Sequence, residues 1–442
     1  MKLSLWSSHS LVVALLLSLH ATSSLASRLG GLRHKSTEEK EAPFHRALPH
    51  SNNDSAEEIL TNKLQQIYEE GIAVGFAVSV LDEDGEAIYK QGFGQSNQRK
   101  DRPYTDKTVQ PIASVSKTLV ALALMKCQEL GALELDDPMN DYLPFPIVNP
   151  FFPDNVITVR HLATHTSSIL DDEEFYERSY IFERKISSKI WSIFPKGSEE
   201  RKGVRDLVRL YNSNQDMPLV DFVRNIYLPD GDWYNQNKAF SKDFAPGENY
   251  EYSNMGTAIA SMVIEGALQN IGICLSYAEF VTQYITDPLG MKSSGWNMAD
   301  YKKKEKSKLY QWGRATDPAI AIPDYKLITV ADGGFVTNAK DMSKYIGAVI
   351  QGYLQGQDNV LTAESYKQMI DENIFWSIED EDGNFFGHSG GDPGVNTLLL
   401  VELSTKHGFY FAANGGDNDG ALVDEVFQAM LEYVFQKIGG GM

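Results

Sequence analysis

A serine and a lysine three residues apart, Ser114 and Lys117 in ASVSK, open an apolar run that continues as TLVALALMKCQEL. On a helix, positions i and i+3 share a face. At a helix N-terminus the free backbone N–H groups make the local potential positive. A serine hydroxyl is a weak nucleophile until a neighbour takes its proton. Burial and the positive helix end both disfavour an ammonium, which makes Lys117 a candidate base for the Ser114 hydroxyl. The Ser114 amide could also help hold an oxyanion. A capping serine with a solvated lysine would look the same, so the pair alone leaves both readings open.

Two further segments carry chemistry-bearing residues. In PGENYEYSNMG, residues 246–256, Tyr252 and Asn254 stand two apart. On extended backbone they would point to one side. A phenol near an amine can share its proton, and an asparagine can bind a substrate amide while orienting the amine. In FFGHSGGDPGV, residues 385–395, His388 precedes Ser389, Gly390 and Gly391. A strand edge there would offer N–H groups to a carbonyl oxygen, and the glycines would let a substrate approach closely. His388 adds a donor or proton carrier. Each has a plain alternative: a loop tyrosine packed on a helix, and a glycine-rich turn with a solvated histidine.

These residues need elements to bring them together. Ile59, Leu60, Leu64 and Ile67 have helical spacing over 56–70. Strand-like runs Gly75–Leu81 and Ala87–Gly92 flank the turn residues Asp82–Gly85, a hairpin signal. Residues 111–299 are mostly helical with long loops. Strand signals return at Asn384–His388, Asn396–Val401 and Phe409–Ala412, and Asp424–Lys437 has helical spacing again. His388–Gly391 would then close a strand and lead into a turn. The expected fold is α+β: terminal strands pair into one antiparallel sheet flanked by the terminal helices, with an all-helical lobe inserted. The sheet lobe would comprise 56–110 and 300–442, the helical lobe 111–299, with a ligand-binding cleft between them. The acidic, aromatic stretch 171–243 either walls that cleft or is an ordinary insertion.

Taken in order, Ser114-Val115-Ser116-Lys117, Tyr252-Ser253-Asn254 and His388-Ser389-Gly390 resemble the signature of the serine β-lactamase and penicillin-binding-protein superfamily. The likeness is to its class C-like branch, with family VIII esterases, D-aminopeptidases and mitochondrial β-lactamase-like proteins. The flanking GALELDDPMNDYLP, VRHLATHTSSI, DPLGMKSSGW and GGFVTNAKDMSKY look like further landmarks, covering about residues 56–440. The resemblance implies a β-lactamase-like fold and an acyl-enzyme on Ser114. Lys117 and Tyr252 would relay its proton. Asn254, His388 and Gly390 would bind substrate, and the N–H groups of Ser114 and Gly391 would form the oxyanion hole. It implies no cofactor and no metal. Two positions depart from the pattern: His388 stands where lysine is usual, and Ser168 where glycine is usual. A largely neutral imidazole is a poor partner for a substrate carboxylate, which favours esters, amides or peptides over β-lactams. The expected activity is serine hydrolysis of a small-molecule or peptide substrate. Acyl transfer on the same site, or an inactive binding protein, are the alternatives.

The bulk properties agree. The 442 residues carry 40 basic and 60 acidic side chains, a net charge of -20 that repels phosphate backbones and excludes nucleic acid as the expected partner. Lys2, the apolar Leu11–Leu19 and Ser24-Leu25-Ala26 read as a signal peptide over 1–26, with a polar leader over 27–55. The mature protein is therefore expected to be secreted or extracytoplasmic, with no stable membrane span after cleavage. Asn53-Asp54-Ser55 is a glycosylation-type triplet. Of the two cysteines, Cys127 lies in the apolar helix and reads as a buried free thiol. His161 and His165 have metal-compatible spacing but no third ligand nearby, and His165 reads as a structural hydrogen-bonder. Asp171–Glu174 reads as a solvated acidic loop, and Lys302–Lys308 as a solvated basic one.

Overall fold

The computed structural model describes residues 55–71, 73–311, 319–378, 383–415 and 420–439. The signal-peptide segment and the leader up to Asp54, with Asn53 and Asp54 of the glycosylation-type triplet, lie outside the described residues. Helix α1 spans Ala56–Glu69, and Ser55 caps it in a reciprocal box with Glu58. Strand β1 spans Gly75–Leu81, β2 Ala87–Asn97 and β3 Arg102–Pro103. Helix α2 is Lys117–Glu129, α3 Asn254–Asn270 and α4 Ala339–Val349. Strands β4 (Ser377–Ile378), β5 (Phe385–Asp392), β6 (Val395–Glu402) and β7 (Gly408–Ala413) follow, and α5 (Ala421–Gly439) is the last helix.

The seven strands form one sheet in the order β4-β5-β6-β7-β1-β2-β3. The N-terminal strand thus pairs with the C-terminal one, Val78 opposite Phe411, as the terminal strand signals require. Antiparallel strands usually alternate apolar and polar residues, but β1, β6 and β7 are buried at every position. Both faces are covered. Phe76, Val78, Val80, Leu398, Leu400 and Phe411 pack with Leu64 of α1 and Phe427 and Met430 of α5. Ala77, Leu81, Leu399 and Tyr410 face the other way, toward Ile346 of α4 and the larger core around α2 and α3. Burying a Leu, Phe or Val side chain stabilises by about 1.5–3 kcal/mol, so the α1–α5 layer is structural.

Three local expectations are corrected. The helix does not start at Ser114. A tight 3₁₀ turn, Ala113–Ser116, precedes α2, and Ala113 holds a left-handed φ of 49°. The glycines of the third segment do not begin a turn. Strand β5 runs through His388–Gly391 to Asp392, paired residue by residue with β6 (His388 opposite Leu399, Gly391 opposite Asn396). Lys306 and Lys308 are not solvated like the rest of their basic run, because both pair with Asp324 at 2.8 and 2.5 Å. Cys127 is buried and Cys274 exposed, and neither is in a disulfide.

Candidate active site

The 3₁₀ turn delivers Ser114 to the edge of β5. Strand β4 pairs with β5 only at Phe386 and Gly387, so among the described residues the outer edge of β5 beyond Gly387 has no strand partner. Gly390 brings the turn close: a Cβ there would lie 2.4 Å from Thr397 Oγ1, 2.7 Å from the Ile112 carbonyl and 3.0 Å from the Ser114 amide. Only glycine fits. Thr397 ties the same turn down by donating to the Ile112 carbonyl at 2.8 Å. The Leu403 amide donates to the Asn384 carbonyl. In an antiparallel pair such bonds alternate along the strand. Gly391 therefore lies at a position whose N–H points away from β6, toward the open edge where Ser114 sits.

Lys117, at the start of α2, is fully buried, with 0% exposure. Its Nζ lies 3.1 Å from Ser114 Oγ, 2.7 Å from Asn254 Oδ1 and 2.7 Å from the Asp332 carbonyl. Two of these partners can only accept. A neutral amine has two N–H bonds and one lone pair. With both N–H bonds given to Asn254 and Asp332, the lone pair is left for the Ser114 O–H. Burial pulls Lys117 down from 10.5 to about 8, opposed by the Asp332, Asp171 and Asp392 carboxylates.

Tyr252 and Asn254 are brought to the same place by the start of α3. Asn254 is the first helical residue and Ser253 its cap, accepting from the Gly256 amide at 2.8 Å. Lys117 Nζ sits 5.1 Å from the centre of the Tyr252 ring. Ser114 is the side-chain hydrogen-bond neighbour of the Tyr252 phenol, yet burial still pushes that phenol well above 10. Burial, and then Lys117, pull His388 down to about 3, so its imidazole is neutral. Its Nδ1 is 2.6 Å from the Ser389 carbonyl, which fixes the proton there and leaves Nε2 as an acceptor. Only Lys117 therefore changes charge near neutral pH among these three. Ser114 and Tyr252 are partly exposed while Lys117, Asn254 and His388 are buried, so the Ser114 hydroxyl is open to solvent and the Lys117 amine is not.

The structure adds residues that the sequence reading set aside. Asp171 is no solvated loop residue. Its carboxylate accepts from Ser253 Oγ at 2.8 Å, the Asn254 amide at 2.5 Å and the Met255 amide at 3.0 Å, and so caps α3. Glu173 and Glu174 beside it are exposed, as expected. His165 is the structural hydrogen-bonder expected: its Nδ1 accepts from the Ser253 amide at 3.2 Å and its ring packs 4.6 Å from that of Tyr252. Burial holds it well below its usual pKa. His161 bonds the Thr158 amide, and no group of three potential metal ligands occurs among the described residues. Ser168 adopts φ 62°, the left-handed conformation glycine takes there, and its Oγ accepts from Asn149 at 2.9 Å. The insertion does wall the site: Tyr180 donates to Asp392 at the end of β5, at 2.6 Å.

A family model described as Beta-lactamase matches residues 60–430. Among curated proteins, Penicillin-binding protein 4* of Bacillus subtilis (strain 168) is 24% identical over 354 residues, covering 75% of this chain and 66% of that protein. The mitochondrial serine beta-lactamase-like protein LACTB of Mus musculus is 24% identical over 420 residues, covering 81% of this chain and 73% of that one. The chain thus spans about two thirds of the length of the first relative. Among solved structures, the D-amino acid amidase of Ochrobactrum anthropi SV3 superposes with a TM-score of 0.61 at 18% identity, covering 87% of this chain and 99% of that one. The octameric penicillin-binding protein homologue of Pyrococcus abyssi gives 0.60 at 22% identity, covering 87% and 77%.

Proposed function

Because this chain belongs to the Beta-lactamase family, a family of serine hydrolases, we propose that it cleaves an ester, amide or peptide bond through an acyl-enzyme on Ser114. The observation that carries the reading is the Lys117 amine, 3.1 Å from Ser114 Oγ, with its other two partners able only to accept. Lys117 takes the Ser114 proton as Oγ bonds to the substrate carbonyl carbon. The carbonyl oxygen becomes an oxyanion held by the N–H groups of Ser114 and Gly391. Losing one such donor costs about 2.7–4 kcal/mol of barrier lowering. The proton then passes by way of the Tyr252 phenol to the leaving oxygen or nitrogen, and the carbon–leaving-group bond breaks. Water then attacks the acyl carbon and gives a proton to Lys117; the acyl–Oγ bond breaks, Ser114 Oγ takes that proton back, and the acid leaves.

His388 narrows the substrates. A neutral imidazole forms no ion pair with a carboxylate, and a hydrogen bond to a charged group contributes about 1.5–3 kcal/mol. β-Lactams and other carboxylates are therefore disfavoured against uncharged acyl groups. The N-terminal signal adds export to the proposal, so the substrate would be met outside the cytoplasm.

The test is labelling with a fluorophosphonate probe and turnover of short-chain nitrophenyl esters and a chromogenic cephalosporin. Labelling and ester turnover that vanish in Ser114→Ala are the expected result, with the cephalosporin cleaved at least about 10-fold less well than the esters. Labelling that persists in Ser114→Ala, or no labelling of the intact protein, overturns the reading.

A further inference from the structure

Among the helices of the inserted region lies an open cleft that shares no residue with the Ser114 site. It measures about 630 Å³ and is bounded by α3, the loop 141–144, the start of the helix Leu219–Tyr227 and the start of the helix Tyr277–Val281, with Val330 in its lining. Ser114, Lys117, Tyr252, His388 and Gly391 do not line it. That volume suits a small molecule, since ligand pockets span about 300–1,000 Å³.

The walls are held by contacts that need no ligand. A Cβ on Gly266 of α3 would run into the Tyr142 carbonyl, so loop and helix meet at backbone distance. The helix Leu219–Tyr227 is anchored by Phe222, Val223 and Ile226, all buried. Leu219 and Val220 at its start line the cleft, and Val220 is 36% exposed. The Tyr277 amide donates to Glu265 Oε1 at 2.8 Å and ties the third wall to α3.

The lining is apolar in its body and negative at its rim. Leu143, Leu219, Val220, Met262 and Val330 offer hydrocarbon surface. Asp141 and Glu265 are its charged residues, both exposed, and no lysine, arginine or histidine lines it. Among the described residues neither carboxylate forms an ion pair. Tyr277 also lines the cleft; it is 1% exposed, and its Oη has no hydrogen-bond partner among the described residues. Buried polar atoms in folded proteins are normally satisfied, so this wall has an unmet hydrogen bond. An anion would be repelled both by the rim and by the net charge of -20. The complementary ligand joins an apolar body to a positive charge.

We propose that this cleft binds a small organic cation with an aromatic or aliphatic body, its ammonium at Asp141 and Glu265 and its body against Leu219, Val220 and Val330. The site stands independently of the serine-hydrolase reading.

Calorimetric titration with three indoles tests it: tryptamine, the neutral tryptophol and the anionic indole-3-propionate. We expect tryptamine to bind at least about 5-fold more tightly than tryptophol, and indole-3-propionate more weakly than either. Glu265→Gln keeps an acceptor for the Tyr277 amide and removes one charge, so the preference for tryptamine over tryptophol should shrink at least about 2-fold. Val220→Lys places a cation at an exposed position of the wall. It should weaken tryptamine binding at least about 5-fold with the thermal unfolding midpoint unchanged. Equal binding of the three indoles, no binding of any, or a preference that both variants leave unchanged overturns the site. So does tryptamine binding that is lost once Ser114 carries a fluorophosphonate, because the cation would then sit at the nucleophile. Failure of the fluorophosphonate to label would overturn the hydrolase reading instead, and the titrations of the two variants would still decide the cleft.

Discussion

At the scale of single residues, the chemistry depends on where the Lys117 proton sits. Lys117 titrates near 8 because burial outweighs the attraction of nearby carboxylates. In the proposed mechanism the neutral amine is the base, so kcat/KM on an uncharged ester should rise with pH to a midpoint near 8. His388, neutral above about 3, adds no limb in that range. Asp332→Asn removes a negative charge that favours the ammonium while keeping the backbone carbonyl. It should move the limb to lower pH, and a shift to higher pH would contradict the geometry. Lys117→Met should cost about 10²–10⁴ in kcat. Gly390→Ala probes position alone. Its Cβ collides with the Ile112 carbonyl and the Ser114 amide, and should lower kcat/KM by about 10² with far-ultraviolet dichroism unchanged. The candidate residues could be picked out because their spacing is local: Ser-x-x-Lys, Tyr-x-Asn and His-x-Gly each fit within one turn or strand. Asp332 and Asp392 could not, because neither belongs to a motif and only tertiary packing places them beside Lys117.

At the scale of elements, the short segment before α3 matters most. His165 accepts from the Ser253 amide and covers the Tyr252 ring on one side, while Asp171 caps the helix on the other. Sequence reading expected a structural hydrogen bond from His165 but took Asp171 for part of a solvated run. Acidic runs usually face solvent, and nothing in the string says that this distant loop folds onto Tyr252-Ser253-Asn254. Asp171→Asn halves the cap's accepting capacity and removes its charge from the helix N-terminus. It should destabilise by about 1–2 kcal/mol in urea titration and lower kcat more than it raises KM, since Tyr252 and Asn254 lose their anchor. Strand β1 was legible to the residue because its apolar run is bounded by glycine and a turn. The end of β5 was not, because glycines disfavour strands, and only the β6 register and the packing of Ser114 on its edge hold His388–Gly391 extended.

At the scale of the whole molecule, the terminal strands close one sheet and the middle of the chain covers one of its faces. Helix α2 lies inside that larger core, where burial pushes the Cys127 thiol well up, while Cys274 is exposed. A thiol reagent such as dithionitrobenzoate should therefore modify one cysteine of the native protein and the second only on unfolding. Modification of both at equal rates under native conditions would mean that α2 is not where the fold puts it. The α+β architecture was legible because strand signals sit at both ends and apolar helices in between. The insertion wall was legible only as one of two readings, since Tyr180 and Tyr325 meet through a two-stranded ribbon too short to leave a pattern and Tyr211 packs on Tyr180 from the end of a helix.

The bond from Thr397 to the Ile112 carbonyl joins positions 285 residues apart. The Ser114 turn is therefore made long before the strand that braces it. Until β6 has been made, the surface against which that turn holds its left-handed bend does not exist. A chain cut short before β6 would carry Ser114 and Lys117 without the brace that the proposed chemistry needs.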